Sequence, residues 1–139
     1  MPAINNVLEA ALYVDDLEAA AAFYGGVLGL EEVRRHEPRN IFYRAGNTIV
    51  LLFVAVETRK PPAPGDPLPV PPHGADGPGH LCFAMDAEDI EKMVETLVGA
   101  GIEIEADFRW PNGARSVYVR DPAGNSIEFA EPKLWGLAV

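Results

Sequence analysis

One imidazole and two carboxylates, His80, Glu9 and Glu128, stand on segments that otherwise read as apolar strands. An imidazole nitrogen with two carboxylate oxygens suits a divalent ion and leaves coordination positions for water or a substrate. Two carboxylates brought close together repel each other unless a cation or a shared proton lies between them. A repeat supplies the reason for these distant residues to converge. Ala45-Gly46-Asn47-Thr48-Ile49-Val50 matches Ala123-Gly124-Asn125-Ser126-Ile127-Glu128 one for one. Each copy opens as a turn, because glycine tolerates positive φ and asparagine bonds its own backbone, and continues as an alternating strand. The repeat places Glu9 in register with His80, and Val50 in register with Glu128. Val50 supplies no ligand, so three of the four positions are donors. A satisfied histidine beside two solvated glutamates is the plainer reading of the same residues; the repeat favours the convergent one.

The elements that must position these residues follow from periodicity. Val7 to Val14 reads as a strand whose core face is Leu8, Ala10, Leu12 and Val14, leaving Glu9 and Tyr13 on the other face. Asp15 and Asp16 precede a helix over Leu17 to Val27, ended by Gly25, Gly26 and Gly29. Strands are expected at Leu30 to Glu37, Asn40 to Ala45 and Thr48 to Val56. The second half repeats the order: a strand from Gly79 to Met85, a helix opened by Asp86 and carrying Ile90, Met93, Val94, Leu97 and Val98 on one face, then strands at Ile102 to Phe108, Arg115 to Arg120 and Ser126 to Ala130. The fold class is therefore α+β, a single domain over 1–139 built of two tandem βαβββ units. The units span about 5–56 and 79–131 and are joined by the Pro-rich loop 57–78. Each helix covers one face of its sheet, so two units must pair, and their uncovered faces enclose a cavity. Cys82 and Tyr13 fall on that cavity face with His80 and Glu9, and Trp110, before the turn Pro111-Asn112-Gly113, edges it. Cys82 reads more plainly as a small buried apolar residue than as a reactive thiol. His36 and His73 read as surface residues, His73 being the better candidate for a role because it lies late in the Pro-rich loop.

Composition bounds the partners. The chain has 139 residues, 48% of them hydrophobic, with a formal net charge of −10, so nucleic acid and anionic membrane surfaces are excluded as partners. One cysteine allows no internal disulfide, and no leader or membrane-length apolar run is visible, so a cytoplasmic location is expected. The apolar Leu134, Trp135 and Leu137 are expected to pack on the core or on a second subunit of a homodimer.

The opening LEAALYVDDLEAAAAFYGGVLGL, the strand GHLCFAM and the segment VYVRDPAGNSIEF together resemble the vicinal oxygen chelate superfamily over nearly the whole chain. That superfamily includes glyoxalase I, extradiol dioxygenases, fosfomycin-resistance proteins, methylmalonyl-CoA epimerase and bleomycin-resistance proteins. The resemblance implies a glyoxalase-like fold, a curved mixed sheet around a cavity, and a homodimer. It also implies one divalent metal ion (Ni, Co, Mn, Mg, Fe or Zn) on the first and last strands of each unit, here Glu9, His80 and Glu128. In the family the first position is more usually His or Gln, and glyoxalase I has a fourth ligand that Val50 cannot supply.

These departures sort the activities the resemblance implies. An extradiol dioxygenase resembles a site with two His and one carboxylate on iron, and Glu9 replaces one of those His. Thiol transfer to fosfomycin needs a cationic lining, for which Arg109, Arg115 and Arg120 are present but explained by surface ion pairs. A metal-dependent lyase or isomerase of the glyoxalase or epimerase type fits the ligand set best. It needs a metal beside a substrate oxygen and a carboxylate to move a proton, with Glu9 and Glu128 as the evident bases and Tyr13, Val50, Cys82 and Trp110 lining the substrate cavity. The alternative is a metal-free protein that binds small molecules, in the manner of bleomycin-resistance proteins.

Overall fold

The computed structural model describes residues 1–138. The strands are β1 (Glu9–Tyr13), β2 (Glu31–His36), β3 (Asn40–Ala45), β4 (Thr48–Phe53), β5 (His80–Ala84), β6 (Ala106–Arg109), β7 (Arg115–Arg120) and β8 (Ser126–Ala130). They form two four-stranded sheets of the same order, β1-β4-β3-β2 and β5-β8-β7-β6. In each sheet the first and last strands are parallel neighbours and the other pairs are antiparallel. These are the two like units expected from the repeat and the mixed-sheet, glyoxalase-like architecture expected from the resemblance, and they seat Glu9 and His80 at corresponding places, each opening an edge strand.

Helix α1 (Leu17–Ala21) is capped by Asp16, whose carboxylate accepts from Glu18 N and Ala19 N. It does not continue as α-helix to Val27. From Ala22–Val27 the chain widens into a π-helical stretch in which Leu28 N reaches back to Phe23 O. A short α2 (Ala55–Thr58) takes the end of the expected fourth strand, and α3 (Ala87–Gly99), capped by Asp86, covers the second sheet. Residues 59–79 contain neither helix nor ladder, in keeping with their prolines. Strand β1 begins at Glu9 rather than Val7, because Val7 and Leu8 find nothing to pack against and stay exposed.

Ladder register corrects one expectation. Arg44 pairs with Ile49 across the first hairpin and Arg120 with Ser126 across the second, so the second turn holds one more residue. The matched turn sequences are therefore out of step with the strands that follow them. In parallel pairing, Glu9 meets Ile49 and His80 meets Ser126, so the counterpart of Glu128 is Leu51. Val50 points the other way, 1% exposed and within the core cluster, so it faces away from Glu9 and Tyr13.

That longer turn binds the two units together. The Asp121 carboxylate accepts from Ala123 N at 3.0 Å, Asn125 N at 2.8 Å, Asn125 Nδ2 at 2.9 Å and the Tyr24 hydroxyl at 2.6 Å. Asn125 in turn donates to Tyr13 O at 2.9 Å and accepts from Gly79 N at 2.7 Å. Around this knot a single apolar cluster runs from Leu12, Phe23 and Tyr24 to Val117, Val119, Ile127 and Phe129. Burial, with the Asp121 charge added, raises the Tyr24 hydroxyl well above its ordinary range, so it stays a donor.

Tyr24→Phe is expected to lower unfolding stability by about 1–3 kcal/mol, the usual cost of a lost bond to a buried charged group. Asp121→Ala is expected to cost more, since it strands several donors at once. Urea unfolding at fixed protein concentration measures both, and equal midpoints for the two variants would show that Asp121 is not the centre of the knot.

Candidate functional site

The face of the second sheet turned away from the core carries His80 and Cys82 from β5, Ser126 and Glu128 from β8, Ser116 and Tyr118 from β7, and Phe108 from β6, all by ladder register. His80 Nδ1 lies 3.0 Å from the Ser126 carbonyl oxygen. A carbonyl only accepts, so Nδ1 carries a proton, and in the neutral ring the Nε2 lone pair is the one turned toward Glu128. Nε2 lies 3.3 Å from Glu128 Oε1. Two acceptors thus face each other at contact distance, an arrangement that asks for a cation or a proton between them. The donor set fits one edge of a divalent-metal site, with one imidazole nitrogen and one carboxylate oxygen.

Glu128 is 5% exposed, yet its second oxygen is satisfied: Ser116 Oγ donates to Oε2 at 2.6 Å, and Trp110 Nε1 donates to Ser116 Oγ at 2.8 Å. His80 stacks on Tyr118 with ring centroids 6.2 Å apart, Tyr118 on Phe108 at 5.8 Å, and Phe108 meets Trp110 edge-on at 5.0 Å. The nearby acids respond to the same surroundings. Cys82 is exposed rather than buried as expected, but desolvation of its thiol and then the Glu128 charge push it, and likewise the Tyr118 hydroxyl, up to about 12. Both therefore remain protonated near neutrality.

The sequence-derived residues divide between two faces. His80, Cys82, Glu128 and Trp110 belong to the second sheet's open side. Glu9 and Tyr13 lie on the corresponding side of the first sheet, with Leu51, Phe53 and Phe42. Among the described residues no three His, Cys, Asp or Glu side chains converge as metal ligands do, so Glu9 does not join His80 and Glu128 within one chain. Tyr13 instead donates or accepts at 2.7 Å from His73 Nδ1, and His73 packs edge-on against Phe53 at 4.7 Å. The loop holding it is tied down by Thr58, whose hydroxyl donates to His73 O at 2.5 Å and whose carbonyl accepts from His73 N at 3.0 Å. The late part of the Pro-rich segment, at His73, thus lies against the first sheet's open side. Ser116 and Tyr118 were not singled out by sequence reasoning. Continuing the alternation of Glu128 across the hairpin to β7 would have found them.

A thiol at about 12 rather than the ordinary ~8.5 has a thiolate fraction at pH 8 lower by on the order of a thousandfold. Alkylation of Cys82 by iodoacetamide at pH 8 is therefore expected to be slow in the folded protein and fast in urea. Glu128→Gln, by removing the neighbouring charge, is expected to speed it. Modification of the folded protein at the rate of a free thiol would refute the assignment.

The family described as the glyoxalase/bleomycin resistance protein/dioxygenase superfamily matches residues 4–129. Among solved structures, a protein from Agrobacterium tumefaciens described as lactoylglutathione lyase is 42% identical, with a TM-score of 0.89 over 98% of this chain and 100% of that one. The virulence protein STM3117 of Salmonella typhimurium is 27% identical, with a TM-score of 0.68 over 94% of this chain and 98% of that one. The fosfomycin resistance protein FosX of Mesorhizobium loti, 20% identical with a TM-score of 0.64 over 93% of each chain, shares the fold. No curated protein sequence matches the chain. The chain belongs to the glyoxalase/bleomycin resistance protein/dioxygenase superfamily.

Proposed function

We propose that this protein is a metal-dependent lyase or isomerase of the glyoxalase type, and that each site is completed by a second copy of the chain. The observation that carries the reading is the pair His80 Nε2 and Glu128 Oε1, two acceptors held face to face at 3.3 Å with the far side of each ring or carboxylate already bonded. Glu9 occupies the position on the first sheet that His80 occupies on the second, but its own chain brings it to no such cluster. In a two-fold dimer the first sheet of one copy faces the second sheet of its partner twice over, and Glu9 then meets His80 and Glu128 in both sites. Trp135 and Leu137, 79% and 65% exposed, are apolar surface available to such a contact.

A divalent ion held by His80, Glu128 and Glu9 supplies a Lewis acid beside a substrate carbonyl or hydroxyl oxygen. The chain's own residues do the remainder. With both Glu128 oxygens engaged, the Glu9 carboxylate would take a proton from the carbon next to the substrate carbonyl as the C–H electron pair moves toward that carbonyl. The same carboxylic acid returns the proton to the neighbouring carbon. The ring row of Tyr118, Phe108 and Trp110 walls the site and limits water. Tyr118 and Cys82, protonated near neutrality, can donate but not act as bases. Likeness to the Agrobacterium protein makes lactoylglutathione the first substrate to test. A second reading, metal-free binding of a small molecule, draws support from the exposed aromatic row and from the two-donor cluster of the single chain.

The protein is expected to gain thermal stability on addition of Ni(II) or Co(II), and His80→Ala to abolish that gain. Glu9→Ala and His80→Ala are each expected to be inactive on lactoylglutathione. Mixing them is expected to restore about a quarter of the wild-type activity, because half the dimers are mixed and each mixed dimer holds one intact site. No restoration on mixing active-site-deficient chains would end the shared-site reading, and no response to any divalent ion in the wild type would favour the metal-free binder.

A further inference from the structure

Behind the two candidate ligands stands one residue that touches neither of them. The Trp110 indole N–H can only donate, so at the Ser116 hydroxyl it occupies an acceptor position, and the hydroxyl's single proton is left for Glu128 Oε2. The hydrogen-bond chain therefore runs in one direction, from indole to hydroxyl to carboxylate, and it fixes the carboxylate plane so that Oε1 is the oxygen presented to His80. Ser116 is fully buried, so no water competes for its hydroxyl. Trp110 also reaches His80 by a second route, through the edge-on contact with Phe108 and the stack of Phe108 on Tyr118 and Tyr118 on His80. Trp110 itself is held by the turn it begins, where its N–H donates to Ala114 O at 2.8 Å and its carbonyl accepts from Gly113 N at 2.8 Å. Gly113 adopts φ +86, a conformation that side chains resist, so this turn is specified locally.

We infer that Trp110 and Ser116 are positioning residues that preset Glu128 and His80 as one rigid half of the ligand set, so that the second copy has only to bring Glu9. The inference rests on the metal-dependent reading given above. It follows from geometry that a carboxylate with one oxygen tied and one free coordinates through a single oxygen, and that releasing the tied oxygen lets the group rotate on its strand. Partners of this kind usually change metal affinity by about ten- to a hundredfold.

The test is cobalt(II) binding to the full-length protein, read both as affinity and as the visible absorption of the bound ion, for wild type, Ser116→Ala, Ser116→Thr and Trp110→Phe. Ser116→Ala is expected to weaken binding by about ten- to a hundredfold and to change the absorption bands, because the freed carboxylate presents its oxygens differently. Ser116→Thr keeps the hydroxyl and is expected to restore both affinity and spectrum. Trp110→Phe keeps the ring against Phe108 but lacks the N–H, and is expected to show a smaller loss of the same kind. Melting of the metal-free proteins separates positioning from packing. If Ser116→Ala lowers that melting temperature yet binds cobalt with wild-type affinity and bands, the hydroxyl merely packs the strand and the inference is overturned while the metal reading stands. If wild type binds no cobalt, both are overturned.

Discussion

The bonding of Asp121 and Asn125 is the constraint on which the rest of the structure depends. A single turn accepts the Tyr24 hydroxyl, donates to the backbone of β1 at Tyr13, and receives the N–H of Gly79 just before β5. It therefore fixes three things at once: the π-widened end of the first helix, the end of one edge strand and the beginning of the other. Space there is tight, since a Cβ on Gly79 would come within 3.1 Å of Leu12 Cδ2. The two sheets share one core through this joint. Their open sides are each left bare of the other, which is why the ligand candidates stay apart in one chain.

The charge pattern separates structure from chemistry. Arg35 gathers Glu18, Glu32 and Glu37, and Arg115 gathers Asp107 and Glu91, so much of the acidic excess is absorbed by ion pairs at the edges of the sheets. The Arg35 pairs, whose carboxylates are solvated, contribute little to stability, whereas Arg115 is largely buried between its partners. Glu128 differs because it is buried, has no arginine or lysine partner, and has one oxygen bonded to a serine hydroxyl while the other faces the His80 edge. A carboxylate kept dry without a cationic side chain is costly to a fold, and that cost is intelligible where the cation is a ligand.

Much of this was legible in the sequence, and the failures have definite causes. The succession of strands and helices in two like units followed from periodicity and from the repeated turn, and the mixed sheets from the family resemblance. His80 and Glu128 were identifiable as polar residues on apolar strands, and they do share a face. The matching of Val50 to Glu128 failed because matching turns by residue type ignores turn length: one additional residue reverses the direction of every side chain beyond it. The helix expected to reach Val27 as α-helix widens instead, a local change in hydrogen bonding that apolar spacing does not encode. Ser116 was invisible because a serine on a strand carries no signal by itself. Its meaning comes only from the buried carboxylate across the ladder. His73 was ambiguous for a related reason, since residues in a Pro-rich loop acquire a position only from what the loop crosses.

The two open sides are chemically unequal, and that inequality bears on how a shared site would work. The second sheet offers a prearranged pair of donors backed by rings. The first offers Glu9 at the exposed start of an edge strand, with Tyr13 farther along and His73, late in the Pro-rich segment, against it. In a shared site the prearranged pair would set the direction from which a ligand is held, and Glu9 would approach it from the edge of the other copy's first sheet. Phe42, Leu51 and Phe53 of the first sheet stand on strands other than those of the donor pair, so substitutions there leave His80 and Glu128 untouched. A fold assembled from two similar units can thus vary its substrates on one unit while preserving its reaction on the other, because the ladder keeps the two sets of side chains on different strands.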